Sequence, residues 1–554
     1  MLLALSAMAA APAPQATGEA STARYFASVR AEPSMLLAFL NEMPKGGDLH
    51  NHLTGAIYAE SYLRWAAEDN LCLATAAMTI VAGTCDAAAG RPPVATVLRT
   101  PGLFNPAVDA MSMRHWNPAL NGHDHFFATF EKFGPPSDKT GHMLAEVAAR
   151  AAAERVSYME LMLTPNGAGA RQRGTAAGWD PDLGRQRDRL LAGGFQEVVA
   201  EARRRMDVAE AQQRNLLRCS ASEADAGCRV LIRYISQAGR ARAPEQVFAE
   251  LLTGFEIAMQ DARFVGVNLV QPEDDPTAVR DFSLQMKMID FLHGKYPDVP
   301  IALHAGELVE GLVPPEALRF HIRESVRTGH ARRIGHGGGV MYEDDPIGLL
   351  REMASKRVLV EVALSSNDLI LGIAGKRHPL AAYLKYGVPV ALVTDDAGVA
   401  RSSMTREFRK AVEEHGVDYR TLKRMVHNSI DFAFADMVYA TGLAKQGKIK
   451  ILANSADKRA LSAPDIPTMA EAGLPDATQT PWWAVWGPHG LPPEIIEKTG
   501  KWVNQITAMP ETVQFLTTQG ADPLPGSADA TRKKLLESIK IWERVVSIAK
   551  IEPQ

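Results

Sequence analysis

Eight short runs of apolar, largely β-branched residues punctuate the first 400 positions, at 48–53, 156–163, 230–236, 264–270, 301–305, 333–336, 358–364 and 389–394. Between most of them lie longer stretches whose apolar positions recur at helical spacing: 141–155, 191–211, 244–262, 279–295, 315–328, 346–356 and 379–386. Short continuous apolar runs fit strands covered on both faces, and alternation with helices fits parallel strands joined by crossovers. Eight such repeats predict an α/β fold of the (β/α)8 barrel type.

Two stretches break the alternation. Residues 70–121 are rich in Ala, Gly and Pro and read as an insertion after the first strand, long enough to cover the barrel mouth. Past residue 433 the pattern predicts a short strand at 449–453, a Pro-rich stretch at 464–493 carrying Trp482, Trp483 and Trp486, and amphipathic helices at 494–508 and 528–548. The expected organisation is a leader at 1–22, a barrel at 23–433 and a separate small α/β unit at 434–554.

Composition narrows the class. The chain has 554 residues, 46% hydrophobic and 22% charged, with a net charge of −4, as in a soluble globular protein. It has no basic stripe for nucleic acid, and no apolar run long enough to span a membrane. Residues 1–16 are apolar and Ala-rich, with Ala9-Ala10-Ala11-Pro12-Ala13-Pro14, like the core and cleavage region of a secretory signal. The positive flank of such a signal is missing, so a plain leader or a misplaced start are the other readings. The four cysteines form two local pairs, Cys72 with Cys85 and Cys219 with Cys228. Two short disulfides in an exported protein, periplasmic or secreted, fit that spacing; four free thiols are the alternative.

The candidate chemistry sits where strands end. His50 and His52 close the first run one residue apart, so strand alternation points both imidazoles the same way. His304 ends the fifth run, His336 the sixth, and Asp395 and Asp396 follow the eighth. Taken singly each is unremarkable: an imidazole pair can be core, an Asp-Asp pair can cap a helix, and His336 between glycines can be a turn. Together, at the same end of strands that neighbour or face one another, three imidazoles and a carboxylate can share one ion, and that donor set suits catalytic zinc.

Five segments in this order resemble the adenosine deaminase family, most closely its secreted bacterial members: Met43-Pro44-Lys45-Gly46-Gly47-Asp48-Leu49-His50-Asn51-His52-Leu53-Thr54-Gly55, His304-Ala305-Gly306-Glu307, Arg333-Ile334-Gly335-His336-Gly337, Ser365-Ser366-Asn367 and Thr394-Asp395-Asp396. The resemblance covers residues 23–433. It implies one zinc ion per chain held by His50, His52, His304 and Asp395. It implies Glu307 as proton donor to purine N1, His336 as the group that orients the attacking water, and Asp396 as a partner of purine N7. The expected reaction converts adenosine or deoxyadenosine to inosine and ammonia, with a small purine nucleoside as the partner. Two positions depart from the family. Thr54 stands where many members carry an acidic residue near the ribose 5′-hydroxyl, and Gln271 stands where many have a glycine whose N–H meets purine N3. Another 6-aminopurine or a modified nucleoside is therefore the alternative substrate.

Residues 447–453, Asp457-Lys458-Arg459, Pro464-Asp465-Ile466-Pro467-Thr468-Met469-Ala470-Glu471-Ala472-Gly473 and 487–493 resemble the C-terminal part of tripartite tricarboxylate transporter substrate-binding proteins. Those are two-lobed periplasmic receptors for organic acids, and only the last third or so is present here. The resemblance implies a fused fragment; a solute-binding role is the reading from another class.

Overall fold

The computed structural model describes residues 18–117, 121–430, 440, 444, 451–472, 480, 482–488, 490–518 and 521–549. Eight strands stand at the eight apolar runs: β1 (Gly46–His52), β2 (Val156–Leu163), β3 (Leu231–Gly239), β4 (Phe264–Val270), β5 (Ala302–Ala305), β6 (Arg333–His336), β7 (Leu359–Val362) and β8 (Val390–Leu392). All pair in parallel, β1 through β4 in one sheet and β5 through β8 in another. Two bridges join the sheets, Val267 to Ile301 and Asn51 to Asp395, so the sheet closes into a (β/α)8 barrel. The second closure is reinforced by Asp48, whose carboxylate accepts the Thr394 N–H at 3.2 Å. All of β1, β5, β7 and β8 is buried, so their polar residues, Asp48, His50, Asn51 and His52 in β1, His304 in β5 and Glu361 in β7, are enclosed along with the apolar ones.

Helices wrap the barrel, with differences of detail from the pattern. The stretch 191–211 divides into Leu183–Ala192 and Gln196–Leu216, because Gly193 and Gly194 interrupt it, the latter at φ +77°. Helix Pro244–Gln260 is buried continuously from Val247 to Ile257. A helix that the spacing does not predict, Gly167–Ala177, packs over it, with Gly174 against Glu245 O. Helices Gly18–Val29 and Pro33–Glu42 bury Phe26, Leu36 and Leu40 in the main core, and the first of them includes residues 18–22 of the stretch expected to be leader. Most of that expected leader, 1–17, lies outside the described residues.

The insertion carries a hairpin, Cys72–Ala74 with Thr79–Val81, and helices Val94–Val97 and Pro101–Ala110. Disulfides Cys72–Cys85 and Cys219–Cys228 are both formed. Met113 N–H reaches Val399 O beyond β8 at 2.8 Å, and His123, just past the insertion, reaches Asp274 beyond β4 at 3.0 Å. The segment therefore lies at the C-terminal end of the barrel.

At the opposite end, Lys45 is buried and its ammonium donates to Leu40 O, Met43 O and Glu154 O at 2.6, 3.2 and 2.9 Å. Burial lowers its pKa to about 8. Its place makes it a structural tie, remote from the chemistry.

The chain divides into two compact units, Met1–Phe432 and Ala433–Gln554. In the second, helices Pro493–Thr507, Pro510–Thr518 and Ala528–Ala549 are present. The strand expected at 449–453 is not seen at 451–453; one bridge, Asn454 to Thr468, stands beside it. That bridge is closed by Asn454 N–H to Pro467 O and Met469 N–H to Asn454 O, both 2.8 Å. No described helix is long and apolar enough to cross a membrane.

Candidate active site

Closure of the barrel builds the site. Asp395 N–H donates to His50 O at 2.9 Å and His52 N–H donates to Asp395 O at 3.2 Å, so the end of β1 and the turn after β8 are laced together. The register of β1 against β2 shifts between Asp48 and Asn51, a bulge that re-aims the side chains around His50. Across the lumen β5 delivers His304. His304 Nε2 lies 3.1 Å from His50 Nε2 and 3.0 Å from His52 Nε2, and Asp395 Oδ1 lies 3.5 and 3.3 Å from the same two nitrogens. All four residues are buried.

The outer nitrogen of each imidazole is already committed. His50 Nδ1 donates to Glu361 Oε2 at 2.8 Å, His52 Nδ1 to Gln237 Oε1 at 3.0 Å and His304 Nδ1 to Asn268 Oδ1 at 3.1 Å. With those protons outside, three Nε2 lone pairs converge on one point beside a carboxylate. Lone pairs at that separation repel unless a cation lies between them, and Nδ1-to-acceptor bonds of this kind orient metal-ligating histidines. Ser366 Oγ donates to Asp395 Oδ2 at 2.6 Å and fixes the carboxylate. The donor set thus fits a divalent metal such as zinc.

The second layer includes residues to which the sequence pattern assigned no role. Glu361 stands in the apolar run of β7, and a lone carboxylate in such a run is the one sequence signal that could have pointed to it. It bridges His50 to Arg333, Nε to Oε1 at 2.8 Å, and Arg333 also pairs with Glu160. Gly335, beside Arg333 and His336, must be glycine for a different reason: a Cβ there would lie 2.6 Å from the His50 ring.

Glu307, His336 and Asp395 form a second buried group. His336 Nε2 is 3.6 Å from Glu307 Oε1 and 3.9 Å from Asp395 Oδ2. Glu273 accepts the backbone N–H of Gly306 at 3.0 Å and of Glu307 at 2.8 Å, and also His321 Nδ1–H at 2.6 Å, so the loop carrying Glu307 is clamped. His336, Asp395 and Gln271 all have positive φ, at 66°, 59° and 84°. Non-glycine residues in that region store strain, and strain of this kind gathers at functional sites.

Gln271 explains itself once the backbone is seen. It keeps a glycine-like φ, and its side-chain Oε1 accepts the Ala241 N–H at 3.1 Å. The added bulk is tied to the neighbouring loop after β3. Thr54 follows β1, half-buried, its carbonyl accepting the Tyr62 hydroxyl at 2.7 Å.

Electrostatics divide the site by role. Burial, with Asp395 and Glu273 nearby, pushes the Glu307 carboxyl well above the usual range. Burial and Asp395 do the same to Asp396, whose Oδ1 is buried without a hydrogen-bond partner among the described residues. Burial lowers His52 and His336 to about 4 and His304 well below its ordinary value, which keeps these rings neutral. For His50 burial is overridden by hydrogen bonds to Asp395 and Glu361, and its pKa rises to about 10. A cation at Nε2 competes with that proton, so affinity for metal falls as pH drops. Asp395 is held low by His336, His50 and His52 against the opposing effect of burial.

Eight parallel strands closed into a barrel, with a buried cluster of three histidines and one aspartate at their C-terminal ends and a carboxyl of raised pKa beside it, define a (β/α)8 protein with a candidate metal site. A family model described as adenosine deaminase matches residues 136–446, more than half of the chain, and the chain belongs to that family. The match includes His304, Glu307, His336, Asp395 and Asp396; His50 and His52 precede it. A model of the tripartite tricarboxylate transporter family receptor matches residues 415–551. Among curated relatives, adenine deaminase of Chelativorans sp. (strain BNC1) is 35% identical over 138 residues, 24% of this chain and 39% of that protein. Adenosine deaminase of Aliivibrio fischeri (strain ATCC 700601 / ES114) is 31% identical over 145 residues, 26% of this chain and 40% of that protein. Protein BugT of Bordetella pertussis is 33% identical over 102 residues, 18% of this chain and 31% of that protein. The chain thus spans between about a third and two-fifths of the length of these relatives. A crystal structure of adenine deaminase from Arthrobacter aurescens superimposes with a TM-score of 0.42 at 20% identity, covering 73% of this chain and 98% of that one.

Proposed function

We propose that the barrel hydrolytically deaminates a 6-aminopurine nucleoside, adenosine or deoxyadenosine first, with one zinc ion held by His50, His52, His304 and Asp395. The observation that carries the reading is the convergence of three Nε2 atoms and one carboxylate oxygen beside Glu307, a buried carboxyl whose pKa is raised. Zinc held by these four residues would supply Lewis acidity toward water near neutral pH. Glu307, protonated, donates to purine N1 and makes C6 electron-poor. His336 presents an N–H to the oxygen adding at C6. Asp396, whose Oδ1 has no hydrogen-bond partner among the described residues and whose raised pKa favours a protonated carboxyl, would donate that proton to purine N7. In balance, the oxygen of one water becomes the C6 carbonyl oxygen, protons pass to the ring and to the leaving nitrogen, and adenosine plus water gives inosine plus ammonia.

Purified protein incubated with adenosine is expected to show the ultraviolet shift to inosine and about one zinc per chain. A zinc-loaded preparation with no turnover of adenosine, deoxyadenosine or any other 6-aminopurine would overturn the proposal. Thr54 supports the second reading, because a hydroxyl replaces a carboxylate where the sugar is expected. A panel of adenosine, adenine and N6-modified nucleosides separates the two by kcat/KM. The small unit is read as a fused fragment; tight organic-acid binding by residues 434–554 would make it a receptor. Two disulfides and the receptor-family match support a periplasmic or secreted location.

A further inference from the structure

His336 ends in a buried Nε2 that has no hydrogen-bond partner among the described residues. It can serve an incoming oxygen as a donor only if the ring proton sits on Nε2 and the lone pair on Nδ1. Nothing in an isolated imidazole secures that, since the two neutral tautomers are close in energy.

The other side of the ring carries a chain of contacts that does secure it. Leu380 N–H meets His378 Nδ1 at 3.1 Å. A backbone N–H can only donate, so His378 Nδ1 accepts and the proton of that neutral ring is on Nε2. His378 Nε2 lies 3.1 Å from Asn367 Oδ1, and as a donor it needs the amide oxygen there. The Asn367 amide nitrogen must then face the other way, and it lies 3.0 Å from His336 Nδ1. It donates, His336 Nδ1 accepts, and the His336 proton is forced to Nε2. His378, Asn367 and His336 are all buried, so water does not compete for these positions. Burial also lowers the His378 pKa to about 3, which keeps that ring neutral and the chain of donors intact. The far end is held as well: Tyr383 hydroxyl donates to Gly337 O at 2.7 Å, next to His336.

We infer that His378 and Asn367 are positioning residues that transmit the direction of the Leu380 N–H through two side chains and set the tautomer of His336. The inference rests on the reading of His336 as a donor to the reacting oxygen, yet the tautomer itself can be observed without turnover. In 15N-histidine-labelled, zinc-loaded protein, long-range proton–nitrogen spectra assign the His336 signals by their loss in His336→Ala. Wild type is expected to show the Nε2–H form. Asn367→Asp keeps the shape but places an acceptor opposite Nδ1, and is expected to move the proton to Nδ1. It should lower kcat by about 10- to 100-fold, the usual size of an outer-layer change at such sites, with KM little altered. His378→Leu removes the donor to Asn367 and should give mixed tautomers, while His378→Gln supplies an amide N–H and should restore kcat and the Nε2–H signal. A His336 signal unchanged from wild type in both Asn367→Asp and His378→Leu overturns the inference, as does an Nδ1–H form in wild type. If the tautomers behave as stated and no 6-aminopurine is turned over, the assigned reaction fails and the relay stands.

Discussion

Residues 46–430 and residues 451–549 show what the same kind of amphipathic helix becomes with and without a sheet to cover. Around the barrel, crossover helices pack on a closed ring of strands; Pro244–Gln260, for example, packs against β3 and β4 and is buried over eleven consecutive residues. In the C-terminal unit helices Pro493–Thr507 and Pro510–Thr518 contain no buried residue. Among the described residues from 451 onward, only Asn454, Ala463 and Thr468 are buried, while Trp483 is 82% exposed and Trp486, Trp502 and Trp542 are also largely exposed. The segment matching BugT covers 31% of that protein, so more than two-thirds of BugT lies outside the match. Apolar burial is what repays the entropy of ordering a chain, and the barrel has far more of it than the described residues of the small unit. A site that must hold several buried ionisable groups in register can be built on the first kind of scaffold.

The contrast can be broken or sharpened by experiment. The largest effect belongs to His304→Ala, which takes the β5 nitrogen from the cluster; zinc measured by mass spectrometry should fall away and turnover with it. Glu307→Gln should keep the zinc and lose roughly 10²- to 10⁴-fold in kcat, the range of a general acid. Zinc retained with full activity in either variant would remove the barrel's claim to the chemistry. Glu361→Gln leaves a neutral partner for His50 Nδ1, and chelator competition should show about 10- to 100-fold weaker zinc binding. Removal of residues 433–554 should leave kcat and zinc content unchanged and reduce self-association on size exclusion, because exposed aromatics go with it. A collapse of activity there would mean that the sparse unit supports the dense one. Gln271→Gly should be the mildest. Relief of a positive φ is worth about 1 kcal/mol, and loss of the Ala241 bond together with greater chain freedom offsets it, so the melting temperature should barely move while KM reports any change at purine N3.

Much of the site was legible because its groups end apolar runs. His50, His52, His304, His336 and Asp395 follow strand order, and strand order around a closed barrel is fixed. The outer layer was not legible in the same way. Gln237, Asn268 and Glu361 lie within or at the ends of apolar strands, and only distance in space shows which imidazole each one meets. Asn367 was visible in a motif, yet its orientation depends on His378 and Leu380, eleven and thirteen residues away. The helix Gly167–Ala177 escaped because it is Gly- and Arg-rich and has no apolar stripe; packing against Pro244–Gln260 holds it.

By itself the chain of residues determined the number of strands, their parallel order and which ends carry imidazoles and carboxylates, because strand period and burial are local properties. Tertiary structure alone decided that four donors separated by up to 345 positions meet within hydrogen-bonding range, and that β1 bulges at the point where it does. It also decided which nitrogen of each histidine is free. Those outcomes depend on the closure of the barrel, and the field of neighbouring charges and N–H groups exists only once closure has occurred.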